Sequence, residues 1–451
     1  MYPIASRDHD DRDTVASRGR ERLRKSQLVD HRLLHTRITS DRLRRGPVRA
    51  VGVVACTAAT VLMASAYANA EPPDAGPSCP DLYVFGVQGT SESSRTADPQ
   101  STTGMVGQIF GSITHDGAIG YQEIGYDAAF GGAPGTGPGQ STFTASASEA
   151  GQKLSDAATS FHAQCPATRI GFVAFSQGAG VVSDFARDVG AGRTSIPPDR
   201  VAGVAVLSDW TRPPGAEPIP GRPGQSSTDP LPGTDATASS QVQFRPVPST
   251  AGIAPNIEDF GDLTGHVVEI CIPGDLSCDA PPHAQLLRAA GGVVAQADLH
   301  DPIAAVGTLA ATASAAVSKA ATTAVLNDVQ INQGQVNYLP AETLSARIAD
   351  SADPRNGTPT PQQQQDAAAR IAQVAAAVAA DPLGQIPRLA GQIGAAIGDN
   401  LAANADLANP ATLARYAGVV ANHTGYADTG DTQRVATWLD ALSHDIGQAA
   451  P

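Results

Sequence analysis

The sequence predicts an α/β fold, a doubly wound and mainly parallel sheet with an Ala-rich helical cap inserted late in the chain. Short apolar runs at 81–87, 117–126, 169–175, 200–207 and 266–270 alternate with helical patterns at 141–164 and 177–189, the order of strand and helix that builds a parallel sheet. Residues 283–421 then change character: Ala dominates, Pro and Gly punctuate, and apolar residues recur at helical spacing. The third observation is a serine, Ser176, where the apolar run 169–175 breaks and a helical pattern begins.

Residues 1–49 carry thirteen Arg/Lys against seven Asp/Glu, and 50–70 is an uncharged, mostly apolar stretch ending Ala68-Asn69-Ala70. A basic region, an apolar region and a small-residue site in that order predict a secretory signal, cleaved after Ala70; the alternative is an uncleaved anchor. Without 1–49 the formal charge of −14 becomes roughly −20, and only Lys153 and Lys319 remain as lysines, which excludes nucleic acid as a natural partner. Cys56 lies in the expected signal and leaves with it on cleavage. Cys79, Cys165, Cys271 and Cys278 remain, an even number that predicts two disulfides in an oxidising compartment.

The first strand, 81–87, runs into the small, hydroxyl-rich loop Gln88-Gly89-Thr90-Ser91-Glu92, suited to presenting donors to an anion. Residues 101–141 are Gly-rich and read as surface loop around the strand at 117–126. Ala147, Ala150, Leu154, Ala157 and Phe161 step by three and four and make 141–164 an amphipathic helix. Next comes Ala174-Phe175-Ser176-Gln177-Gly178, a small-x-Ser-x-Gly turn between strand and helix, with Ala174 where the nucleophile-elbow pattern has its first glycine. After the strand at 200–207, residues 211–256 are too rich in Pro, Gly, Ser and Thr for a regular element.

The strand at 266–270 leads to Cys271-Ile272-Pro273-Gly274-Asp275-Leu276-Ser277-Cys278, an aspartate in a loop that two cysteines can clamp. In the insert, Ile371, Val374 and Val378, then Ile386, Leu389, Ile393 and Ile397, mark helical faces. Residues 303–326 are apolar enough to span a membrane, but their Thr and Ser content and Lys319 predict a buried helix instead. The last helix, from Asp431 to about Ile446, turns Val435, Trp438, Leu439 and Leu442 to one side. The expected divisions are therefore 1–49, 50–70, a core over 71–282, the helical insert 283–421, and 422–451 completing the core.

A serine nucleophile needs a base to take its proton and a carboxylate to orient that base, in this fold class in the chain order Ser, acid, His. Asp275 is the acid candidate, with Asp209 as competitor. Downstream lie His283, His300, His423 and His444, and spacing alone does not choose among them; His423 sits on an expected loop just before the final helix. The secreted part shows no metal or cofactor motif.

Five motifs together resemble the cutinase family of serine esterases, in its secreted actinobacterial branch: Gly89-Thr90-Ser91-Glu92, Cys165, Phe175-Ser176-Gln177-Gly178, Cys271 to Cys278, and His423-Thr424-Gly425-Tyr426. The resemblance covers about 79–209 and 261–282 and resumes near 420–450. It implies an α/β-hydrolase fold with Ser176 as nucleophile, Asp275 as acid and His423 as base. It also implies Thr90 and Gln177 as the oxyanion hole, and disulfides Cys79–Cys165 and Cys271–Cys278. The chain departs from the family at Ala174 and in the roughly 150 residues between Asp275 and His423. An insert whose ends meet tolerates that length, because loop-closure entropy grows slowly.

The function expected is a secreted esterase acting on lipid-like or cell-envelope acyl esters, without cofactor. The competing expectations are an esterase of acetylated polysaccharide and a catalytically silent envelope protein that binds lipid or a partner. Oligomeric state is not legible in the sequence.

Overall fold

The computed structural model describes residues 79–234 and 237–448. The basic and apolar N-terminal segments, with the expected cleavage after Ala70, lie outside the described residues. In chain order the core elements are β1 (Leu82–Val87), α1 (Gly104–Phe110), β2 (Ile119–Glu123), α2 (Phe143–Gln164), β3 (Arg169–Phe175), α3 (Gln177–Gly190), β4 (Val201–Leu207) and β5 (Val267–Ile270). The insert adds α4 (Gln285–Ala295), α5 (Pro302–Asp328), the strands β6 (Val329–Asn332) and β7 (Gln335–Tyr338), α6 (Leu344–Ala352), α7 (Pro361–Ala380), α8 (Pro382–Ala402), α9 (Pro410–Arg415) and α10 (Val419–Thr424). Helix α11 (Asp431–Gln448) follows.

The five core strands pair in the order β2-β1-β3-β4-β5, parallel throughout. Both faces are covered, so β3 and β4 are continuous apolar runs with no polar alternation. One face packs on α1 and α11 through Ile109, Phe110, Val435, Trp438 and Leu439; the other packs on α2 and α3 through Leu154, Ala158, Val182 and Phe185. This is the doubly wound sheet the sequence predicts.

The structure corrects several local expectations. The Gly-rich stretch 101–141 holds α1, whose Met105, Val106, Ile109 and Phe110 are buried. The described residues of 211–256 form no strand or α-helix, yet Ile219, Leu231 and Phe244 enter the core, and Arg212 donates to the carbonyls of Pro248 and Cys278. The insert includes a β-hairpin, β6–β7, turned at Gln333 and Gly334, both at positive φ (51° and 81°) as a two-residue hairpin turn requires.

Four insert helices open on a side-chain cap followed by proline, at Asp301-Pro302, Thr360-Pro361, Asp381-Pro382 and Asn409-Pro410. The cap satisfies a free N–H, and proline costs nothing where no intrahelical donor is needed. Contrary to expectation, α5 is not buried: only Ala316, Ala320 and Asp328 are enclosed, while Ile303, Val306 and Val317 face outward. By length and composition it is long and apolar enough to cross a membrane. The reason for the exposure is packing partners. Helix α5 packs on α6 and α7, and the apolar residues it encloses are small, Ala316 and Ala320, while its larger side chains fall on the uncovered side.

The insert leaves and returns at one place. The His283 N–H donates to Asp406 Oδ2 (2.9 Å), the Asp406 N–H to the His283 carbonyl (3.0 Å), and the Leu286 N–H to Asn404 Oδ1 (2.8 Å).

Candidate active site

Thr90, Ser176 and Asp275 follow the carboxyl ends of β1, β3 and β5, where open α/β sheets gather functional groups. Ser176 follows β3 with φ 53° and ψ −117°, a sparsely populated conformation that turns the chain sharply into α3. Its N–H donates to the Leu207 carbonyl of the neighbouring strand (2.9 Å), which holds the turn against β4. Gly178 lets α3 approach β1: a Cβ there would collide with the Val87 carbonyl oxygen. Ala174, in place of the family's glycine, is fully buried within β3, and the turn forms two residues on.

Ser176 Oγ lies 2.8 Å from His423 Nε2, and His423 Nδ1 lies 2.8 Å from Asp275 Oδ1. With Nδ1 facing a carboxylate, that nitrogen carries the proton and Nε2 is left to accept from the serine hydroxyl. Such a line of groups can remove the hydroxyl proton as the oxygen attacks an electrophile. His423 does not sit on a loop as expected but within the short helix α10, and its ring lies 5.2 Å from that of Phe175.

Asp275 is fully buried in the turn closed by the Cys271–Cys278 disulfide. Its Oδ2 accepts from the Tyr426 hydroxyl (2.6 Å) and its Oδ1 from the Ser277 N–H (3.1 Å). Burial pushes its pKa up, but the bond to His423, the charge of that ring, and bonds from Ser208 and Tyr426 prevail, holding the carboxyl below its ordinary range. Tyr426 is wholly enclosed, and burial together with the Asp275 charge drives its hydroxyl far up, so it stays a donor.

Two residues with no assigned role in the sequence reading join the site. Ser208, at the end of β4 with φ 64°, places Oγ 3.1 Å from His423 Nδ1. The Ser277 hydroxyl donates to the Ser208 carbonyl (3.1 Å) and ties the β4 turn to the acid turn. The only available signal was position, since Ser208 immediately follows a buried strand and precedes Asp209. Asp209 itself is occupied elsewhere: its buried carboxylate accepts from Ser183 (2.5 Å) and Thr211 (2.8 Å).

Thr90 lies in the turn after β1, next to Gly89, where an added Cβ would come within 3.1 Å of Ser176 Cβ. Gln177 is the first residue of α3, so its N–H has no intrahelical acceptor. Its side chain is committed away from the serine, donating to the carbonyls of Ala129 (3.0 Å) and Phe143 (3.3 Å) and accepting from Ser146 (3.1 Å).

The other candidate histidines sit elsewhere. His283 pairs with Asp406 at the base of the insert, His300 lies between Asp298 and Asp301 on the surface, and His444 is exposed on α11. Cys79 and Cys165 form the second disulfide, joining the start of β1 to the end of α2. Among the described residues no group of His, Cys, Asp or Glu is arranged to hold a metal ion.

The cutinase family model matches residues 78–288. The Carboxylesterase Culp6 homolog of Corynebacterium glutamicum is 31% identical over 220 residues, which make up 47% of this chain and 69% of that protein. Among solved structures, an acetylxylan esterase aligns over 45% of this chain and 86% of its own at 20% identity, with a TM-score of 0.31. A cutinase-like protein from Cryptococcus sp. aligns over 45% and 81% at 15% identity, with a TM-score of 0.28. The chain belongs to the cutinase family, and it is a carboxylic ester hydrolase.

Proposed function

We propose that the protein is a secreted serine esterase that cleaves lipid-like acyl esters through an acyl-enzyme. Ser176 Oγ attacks the ester carbonyl while its proton passes to His423 Nε2, and Asp275 holds the imidazole and the positive charge it acquires. The tetrahedral oxyanion is held by the Gln177 N–H and by Thr90. His423 then returns the proton to the departing alcohol, and a water molecule, deprotonated by the same ring, frees the acid from the serine.

The observation that carries this reading is the unbroken line from Ser176 Oγ through both His423 nitrogens to Asp275, each step 2.8 Å. Export is supported by the two disulfides, which suit an oxidising compartment. The lipid-like substrate is supported by the surface beside the histidine. The α9–α10 segment turns His423 inward, while Leu413 and Val420 on the same segment are 59% and 74% exposed. An acyl chain leaving Ser176 past α10 would meet Val420, one turn before His423, and the exposed apolar side chains of this segment fit a cell-envelope location.

Hydrolysis of p-nitrophenyl esters from acetyl to palmitoyl tests the reading. The purified protein should favour chains longer than acetyl, and Ser176→Ala should lower kcat/KM by about 10³-fold or more. A full-rate Ser176→Ala would overturn the chemistry. A profile confined to acetyl would overturn only the substrate class.

A further inference from the structure

The insert places the histidine at the far end of an excursion from the acid: 148 residues separate Asp275 from His423. The bonds of His423 and Tyr426 to Asp275 hold the end of the returning segment, and a further set of contacts holds it just upstream, where α10 has yet to begin. From the described contacts we infer that Asp279, Arg415 and Tyr416 form a clasp that positions His423 over Ser176. This inference rests on the assignment of His423 as the base.

Asp279 lies four residues after Asp275, is fully buried, and is fastened from both sides. On the core side its Oδ1 accepts from the Thr250 hydroxyl and its Oδ2 from the Gly274 N–H (2.6 Å), and its own N–H donates to the Asp275 carbonyl (2.7 Å). On the insert side Asp279 Oδ2 receives the Arg415 guanidinium, 136 residues away, and its carbonyl accepts from the Tyr416 hydroxyl (2.7 Å). Arg415 closes α9, and α10 with His423 begins within four residues. The acid turn also touches the segment directly, since a Cβ at Gly274 would come within 2.6 Å of Asn422 Nδ2 and 2.9 Å of the Arg415 carbonyl oxygen.

The neck of the insert is therefore a ladder of three rungs. His283, Leu286, Asn404 and Asp406 close its outer end; Asp279, Arg415 and Tyr416 make the middle; Asp275 and His423 make the inner one. The outer rung removes most of the freedom of the excursion. The middle rung sets where α10 starts, and a charge-assisted pair backed by a second hydrogen bond fixes direction as well as distance. Arg415, Asp279 and Tyr416 act through the histidine and are positioning residues. An error of about 1 Å in a reacting group can cost on the order of 100-fold in rate, so the clasp is expected to be read in kcat.

The test is steady-state kinetics on p-nitrophenyl butyrate with the whole chain, in wild-type and His423→Ala backgrounds. Arg415→Ala should lower kcat by about 10- to 100-fold with KM within twofold, and Arg415→Lys, which keeps the charge, should recover most of it. Tyr416→Phe should lower kcat in the same sense by a few-fold, and it carries the test if Arg415→Ala fails to fold. In the His423→Ala background neither change should lower the residual rate further. The clasp is overturned if folded Arg415→Ala or Tyr416→Phe keeps wild-type kcat, or if either loses as much without the histidine as with it. A fully active His423→Ala would instead overturn the assignment of the base, an outcome distinguishable from failure of the clasp alone.

Discussion

The sheet and the insert treat apolar side chains in opposite ways. In the sheet and its covering helices Phe85, Phe172, Ile170 and Leu154 are wholly enclosed, whereas in the insert Ile303, Leu383, Ile397 and Leu413 are 86%, 89%, 57% and 59% exposed. The sheet has layers on both faces. The insert has helices that meet through alanine, and alanine buries little area per contact. Ser176 and Asp275 belong to the first kind of structure, and His423 arrives on the segment that returns from the second. Stability and activity should therefore separate: damage to the core costs folding, while damage at the neck of the insert costs rate.

The largest stability effect should come from Trp438→Ala. Its indole is fully buried between α11 and the sheet, near Phe244, and its removal should cost about 3–5 kcal/mol in denaturant unfolding. Leu383→Ala in the insert, at 89% exposure, should change stability by less than about 0.5 kcal/mol. Equal losses would erase the contrast.

Replacing Cys271 and Cys278 together by serine comes next. The bridge spans a sequence separation of 7, so the chain-entropy model assigns it only about 2–3 kcal/mol. It also encloses the turn bearing Asp275, and kcat should fall by about tenfold or more at temperatures where the variant stays folded. Unchanged kcat would show that the carboxylate does not depend on the clamp.

A smaller effect separates the regions by pH. Burial, opposed by bonds from Gln88 and Ser93, raises the core carboxyl Glu123 from its ordinary 4.5 to about 7. The folded protein then keeps a proton that the unfolded chain releases, so this group's contribution to stability declines as pH rises from about 4.5 to 7 and is flat above. Glu123→Gln should remove that slope, seen as a difference of on the order of 2–4 °C between the Tm shifts at pH 5 and pH 7.5. A slope unchanged in the variant would contradict it.

The smallest expected change has the opposite sign. A Cβ at Gly394, inside α8, meets nothing within 4 Å. Gly394→Ala should stabilise by about 0.5–1 kcal/mol through helix propensity alone. A loss would mean that this surface of α8 is covered in solution.

The same contrast explains what could be read from the chain. The strands were legible because a parallel strand buried on both faces is a continuous apolar run, as 169–175 and 201–207 are. Ser176 stood out because the run breaks there into small residues. Helix α1 was hidden by its length of seven residues and by Gly104 and Gly107, although Met105, Val106, Ile109 and Phe110 carry its helical spacing. The hairpin was hidden by its Ala-rich surroundings, with Gln333-Gly334 as its one turn signal.

The exposure of α5, α7 and α8 was not legible, because periodicity marks an apolar face without saying whether a partner covers it. Ser208 and the Asp279–Arg415 pair were not legible either, since they depend on which strand ends and which distant segments the fold brings together. Tyr426 lay within the motif His423-Thr424-Gly425-Tyr426, but its hold on Asp275 requires the turn of the chain after α10.

In the proposed mechanism a serine on the sheet and a histidine delivered by the insert act as one unit. Single-turnover hydrolysis of p-nitrophenyl butyrate by wild type, Ser176→Ala, His423→Ala and the double variant measures it directly. Each single change should cost about 10³-fold or more, and the double variant should be no slower than the worse of the two. A His423→Ala enzyme within tenfold of wild type, or a double variant slowed by the product of the single losses, would contradict the account.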